Sequence, residues 1–245
     1  MLGKSSPGTA AMLGLSKPVV NAPAAWGAAV TSASMARMGA GAHISGWQRL
    51  QVVVVLASVV VGTYIYLNQY PPFVPRSLPL TPLDHAVPFL VWSVWPYAAL
   101  NFSNAVLPFF VVSRASFWRM AVTLAIALAV CATFWALWPT TLARPPLPQG
   151  DDLSSQLYRF LVRVDQPVNC FPSAHVAAPA VQMYFVCQRW PRAAGWLWTG
   201  FSLCALSILT TKQHYVWDLL GAVVVVLLAL MLTRRWPRRA QAAQS

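Results

Sequence analysis

From residue 50 to residue 232 the chain alternates long apolar runs with short polar segments. Six runs stand out, over residues 50–66, 86–112, 120–138, 174–186, 193–210 and 216–232. About 20 apolar residues carry a helix across the hydrocarbon of a bilayer. The pattern therefore predicts an all-α integral membrane protein, a six-transmembrane-helix bundle with both termini on one side. The fourth run is short and spans only with Ser173 and Gln188–Arg189 at its two interfaces. The second contains Pro88, Pro96 and Pro108 with Asn101, Ser103 and Asn104, and predicts a kinked helix packed inside the bundle. Between the third and fourth runs, Leu153, Leu157, Phe160 and Leu161 recur at helical spacing behind Asp152, an N-cap residue. That spacing predicts a short interfacial helix in the loop of residues 139–172, with Arg159 and Arg163 either toward headgroups or, more commonly for such charges, on a solvated face.

Composition agrees with a membrane protein. Of 245 residues, 58% are hydrophobic and only 9% charged, against about 25% charged in soluble domains. Residues 1–46 are rich in Ala, Gly, Ser and Pro and are expected to form a disordered cytoplasmic tail. An apolar patch over residues 19–30, followed by Ser32-Ala33-Ser34, imitates a signal peptide, but Pro18, Asn21 and Pro23 interrupt it. Met35 and Met38 are alternative starts. Residues 47–236 then form the membrane domain and residues 237–245 a basic cytoplasmic tail.

The net charge of +12 invites a nucleic-acid reading, which the distribution of charge removes. One set of segments carries twelve of the seventeen basic residues and no acid: Lys4, Lys17, Arg37, Arg49, Arg114, Arg119, Arg189, Arg192, Arg234, Arg235, Arg238 and Arg239. The other set holds Arg76, Arg144, Arg159, Arg163 and Lys212 with all five acids, Asp84, Asp151, Asp152, Asp165 and Asp218. The excess of Lys and Arg marks the cytoplasmic side. The expected location is a bacterial inner membrane, with no nucleic acid as partner. Cys131, Cys170, Cys187 and Cys204 supply no extracytoplasmic pair and no zinc spacing, so no disulfide is expected.

Two polar stretches open apolar runs on the outer side: Asn169-Cys170-Phe171-Pro172-Ser173-Ala174-His175 and Gln213-His214-Tyr215-Val216-Trp217-Asp218. Ionisable groups at membrane depth cost roughly 2.5–3.5 kcal/mol on insertion scales and mark functional sites. Pro and Ser signal a helix start, whose free amides and dipole attract anions. The plainer reading is a helix cap beside a satisfied histidine. His214 and Asp218, four apart, share a helical face. A carboxylate on one ring nitrogen leaves the other free as a nucleophile. Together these residues suit phosphate chemistry, with Arg144 and Lys212 as candidate cations for the phosphate oxygens.

Arg144-Pro145, Pro172-Ser173-Ala174-His175 and His214-x-x-x-Asp218, in that order, resemble the three motifs of the type 2 phosphatidic acid phosphatase superfamily. The strings Asn-Cys-Phe-Pro-Ser-Ala-His-Val-Ala and Lys-Gln-His-Tyr-x-x-Asp are more similar to its inositol phosphorylceramide synthase-like branch, which moves headgroups onto lipid acceptors. The resemblance implies a reaction through a phosphohistidine, with neither metal nor cofactor, on a lipid phosphoester in the bilayer. His214 would be the nucleophile, Asp218 its partner and His175 the acid for the leaving group. Arg144 and Ser173 would bind phosphate, with Lys212 replacing a missing cation. Two positions depart from the family pattern: Leu137 stands where it has lysine and Ile208 where it has arginine. Hydrolysis and transfer to a hydroxyl both stay open. So do a metal-dependent hydrolase with His175, His214 and Asp218 as ligands, and a non-enzymatic transporter or scaffold with a degenerate site.

Overall fold

A computed structural model describes residues 44–235. Of the expected tail over residues 1–46, residues 1–43 lie outside the described residues, as do the tail over residues 237–245, the signal-like patch and the alternative starts. The described chain is mainly helical, and three of its helices are long and apolar enough to cross a membrane: α1 (Gly46–Gln69), α4 (Arg114–Leu137) and α8 (Val216–Thr233). The shorter helices are α2 (Pro82–Ala86), α3 (Val94–Val106), α5 (Leu153–Val164), α6 (Ala174–Arg189) and α7 (Ala194–Thr210). Two two-residue strands, β1 (Arg76–Ser77) and β2 (Thr140–Thr141), pair in parallel with Arg76 beside Thr140.

Helix α1 opens on a full capping box: Ser45 Oγ accepts from Gln48 N, and the Gln48 side chain bonds back to Ser45 N. Of its 24 residues only Arg49, Leu67 and Asn68 are buried. A helix apolar all round and so little covered by protein requires a hydrocarbon surround. Its buried arginine is tied to the segment after α3: Arg49 Nη1 and Nη2 donate to the carbonyls of Phe109 (2.8 Å) and Val112 (3.1 Å), while Nε has no partner among the described residues.

The run over residues 86–112 is not one continuous helix. It folds as a 3-10 turn (Val91–Ser93), the 13-residue α3 and a second 3-10 turn (Leu107–Phe110). Pro108 lacks an amide proton and is the second residue of the second turn, whereas Pro96 falls in the first turn of α3, where no helical bond is lost. Helix α5 is capped by Asp152, whose carboxylate accepts from Ser155 N and Oγ. It buries Ser155 and Tyr158 but leaves Leu153, Phe160 and Val164 exposed.

Helix α6 is the centre. Ten of its sixteen residues are buried, Pro179 and Gln182 among them, and it packs against α3, α4, α7 and α8. Protein on every side lets it carry polar groups that a lipid-facing helix rejects. At its start the chain is tied to both neighbours. Phe171 N donates to Thr140 Oγ1 (2.8 Å) beyond the end of α4, and Ser173 N donates to the Asp218 carbonyl (3.1 Å) in α8.

Candidate functional site

The site forms where α6 and α8 begin together. Ser173 takes the N-cap position of α6, yet its hydroxyl makes no capping bond; Oγ is buried without a partner. The amides of Ala174 and His175 stand in the first turn, where no helical acceptor exists. A hydroxyl and free amides thus face the same place.

Helix α7 ends in a Schellman turn. Lys212 adopts a left-handed conformation (φ 53°), Lys212 N bonds Leu209 O, and Gln213 N bonds Ile208 O. This reversal throws His214 back toward α6. His214 and Asp218 do not share a helical face, because α8 starts only at Val216. They meet because Asp218 occupies the third position of α8 and reaches back: its Oδ2 accepts from Tyr215 N (2.9 Å) and faces His214 Nδ1 (3.2 Å). A carboxylate only accepts, so Nδ1 carries the proton and Nε2 the lone pair. That nitrogen lies 3.1 Å from His175 Nδ1. By the same logic His175 Nδ1 is the donor. Both His214 and Asp218 are buried.

Arg144 is held by two neighbours. Its Nη1 donates to the Asp165 carbonyl and its Nη2 to Gln213 Oε1 (2.6 Å), while Nε is buried without a partner. Gln213 therefore links this cation to the residue before His214. Lys212 is engaged elsewhere. Its ammonium donates to the carbonyls of Asp84 (2.9 Å) and Val87 (2.6 Å), next to α2.

Several groups that sequence reasoning passed over are gathered here. The Tyr64 and Tyr97 rings flank His175, with centroids 5.8 and 5.7 Å away. Tyr64 Oη donates to Asp165 Oδ1. The hydroxyls of Tyr97 and Tyr158 and the amide nitrogen of Gln213 are buried without partners. Gln213 Oε1 is already taken by Arg144, which leaves its nitrogen free to donate. Counting Arg144 Nε and Ser173 Oγ, five buried donors have no acceptor among the described residues. Unpaired buried donors each cost about 1–3 kcal/mol, which an anion with several oxygens would offset. No sequence signal marks tyrosines 64, 97 and 158, because each arrives from a different helix.

His175 Nδ1 faces the histidine rather than sharing a point with it and the carboxylate. Among the described residues no group of three or more His, Cys, Asp or Glu side chains is arranged to hold a metal ion. All four cysteines are free.

A family model described as the PAP2 superfamily matches residues 73–232, which takes in every residue of the site except Tyr64. No curated protein matches the chain.

Proposed function

The chain belongs to the PAP2 superfamily, and from that premise we propose a membrane-embedded lipid phosphatase or phosphotransferase that works through a phosphohistidine. Membership in the superfamily supports a phosphatase- or phosphotransferase-type activity, and the apolar helices support a membrane protein. The single observation carrying the finer reading is the linear relay Asp218–His214–His175, with 3.2 and 3.1 Å between its polar atoms.

In this reading the substrate phosphate enters between the imidazoles. His214 Nε2 forms a bond to phosphorus as the bond to the leaving oxygen breaks, and His175 Nδ1 gives that oxygen its proton. Asp218 stabilises the positive ring that results. An acceptor hydroxyl then attacks phosphorus, returns a proton to His175 and frees His214. Ser173 Oγ, the α6 amides and Arg144 Nε hold the phosphoryl oxygens. Lys212 anchors the turn that carries His214 through its bonds to the Asp84 and Val87 carbonyls. Leu137 and Ile208 remove two family cations, and the neutral donors of Tyr97, Tyr158 and Gln213 serve in their place.

Helices α3, α6 and α7 complete a six-span bundle with α1, α4 and α8. Helix α5 lies in the interface on its exposed Leu153, Phe160 and Val164, and the site opens to the extracytoplasmic side. The acceptor is water in a phosphatase and a lipid or polyol hydroxyl in a transferase of the inositolphosphotransferase kind. The deep burial of His214 favours the second wherever water is kept out.

Rapid acid-free quenching of protein incubated with a 32P-labelled lipid phosphate, then phosphoamino-acid analysis, tests the mechanism. Acid-labile, base-stable label is expected on the wild type and none on His214→Ala, with turnover down by roughly a thousandfold or more. Asp218→Asn is expected to retain slow turnover. Unimpaired turnover by folded His214→Ala protein ends the proposal.

A further inference from the structure

A cavity of about 270 Å³ runs from His175 between α1, α3, α4 and α6. Its walls are apolar, including Leu56, Val60, Leu124, Leu128 and Phe117, with Trp135 at the His175 end. Along α4 the lining extends from Trp135 to Phe117, eighteen residues or about 27 Å of helix. That length approaches the ~30 Å hydrocarbon thickness of a bilayer. So small a volume over such a length fits one extended chain.

One polar rung interrupts the apolar wall. Asn101, Asn104 and Gln182 all line the cavity, and their hydrogen bonds fix the sense of each amide. Asn104 Nδ2 donates to the Asn101 carbonyl (3.2 Å), which can only accept. Asn104 Oδ1 therefore points the other way and accepts from Gln182 Nε2 (3.2 Å). Among the described residues Gln182 Oε1 is left as a buried acceptor without a partner, on a residue only 2% exposed. Polar groups at membrane depth without partners are functional suspects. What this rung lacks is a donor.

We infer that the cavity binds a single hydrocarbon chain of the substrate lipid, and that Gln182 Oε1 selects chains bearing a hydroxyl or amide N–H near the phosphate end. The inference rests on the proposed phosphate site at His214, which sets where the chain begins. Gln182 lies seven residues beyond His175 on α6, about 10 Å along the axis. A donor within the first third of a chain reaches that depth. A plain methylene chain leaves the acceptor orphaned, and satisfying one such group is worth on the order of tenfold in affinity.

Three single-chain phosphate monoesters test this on the full protein in nanodiscs: a plain O-acyl form, a 3-hydroxyacyl form and an N-acyl form. Affinity is read by competition with a fluorescent fatty-acyl phosphate on His214→Ala protein, so that binding is measured apart from turnover. The expected result is that one donor-bearing chain competes about tenfold better than the plain chain, and that Gln182→Met closes this gap. The hydroxyl and amide arms then identify the donor. Equal competition by all three chains overturns the inference, and so does a gap that survives Gln182→Met. Should Gln182→Met not fold, equal competition by the three chains on protein that keeps Gln182 still overturns the inference, and Gln182→Leu takes the place of the methionine variant. A gap in binding together with no phosphoryl transfer by the unsubstituted protein would sink the catalytic reading and leave the chain site standing.

Discussion

Lys212 shows how one residue comes to hold a conformation it does not favour. A left-handed backbone costs a non-glycine residue about 1–2 kcal/mol, and Schellman turns usually place glycine there. Here the ammonium bonds of Lys212 to Asp84 O and Val87 O offset the strain. Asp84 completes the clamp: its Oδ1 accepts from Val216 N (2.9 Å) at the start of α8 and its Oδ2 from Thr81 N and Oγ1. Burial alone pushes the Asp84 carboxyl up, but these bonds and the Lys212 charge outweigh it and hold the group below its usual range. Burial likewise lowers Lys212, with Asp84 opposing. A depressed carboxyl contributes stability that is full above its unfolded value, about 3.9, and is lost as pH falls through the folded value. Thermal melts of the wild type should therefore hold steady near neutrality and fall below about pH 4. Asp84→Asn should melt lower at pH 7 and lose part of that acid response; a wild-type-like melt would dismiss the clamp.

At the scale of elements, the site depends on how closely α8 lets the 169–173 segment approach. Gly221 faces the Phe171 ring, and a Cβ there would lie 2.9 Å from Cζ and nearer still to Cε2. Phe171 packs edge-on against Phe134 and Trp138 of the α4 end, so the ring has little room to yield. Its own amide bonds Thr140 Oγ1. Gly221→Ala is accordingly expected to displace Phe171 and with it Ser173, costing about 1–3 kcal/mol of stability and about tenfold or more in turnover. Gly62→Ala, where a Cβ meets nothing within 4 Å, is the matched control. Equal effects of the two substitutions would remove Gly221 from the argument.

For the whole molecule, helix direction separates charge from chemistry. The site gathers the end of α4 and the starts of α6 and α8, whereas Arg114, Arg189 and Arg234 lie at the opposite ends of those helices. The charge bias of membrane proteins predicts that the basic end faces the cytoplasm. Cysteines placed singly at Gln149 and at Arg192, in a Cys204→Ser background, read the orientation with a membrane-impermeant maleimide. Labelling of the Gln149→Cys protein in intact cells, and of the Arg192→Cys protein only after permeabilisation, is expected; the reverse pattern overturns the outward-facing site.

The linear order of residues is enough to show a helical membrane protein of this superfamily, because apolar runs and the motifs around His175 and His214 are local patterns. Asp152 as the cap of α5 is equally local and can be read without coordinates. The interruption of residues 86–112 into α3 and two 3-10 turns is less so, since prolines weaken a helix without saying where it stops. What required the packed chain is the company the motifs keep. His214 reaches Asp218 through a turn outside the helix, Lys212 serves Asp84, and Tyr64, Tyr97, Tyr158 and Gln182 enter from separate helices. Contacts between residues distant in sequence arise from how helices stack, and stacking leaves no spacing along the chain to be recognised.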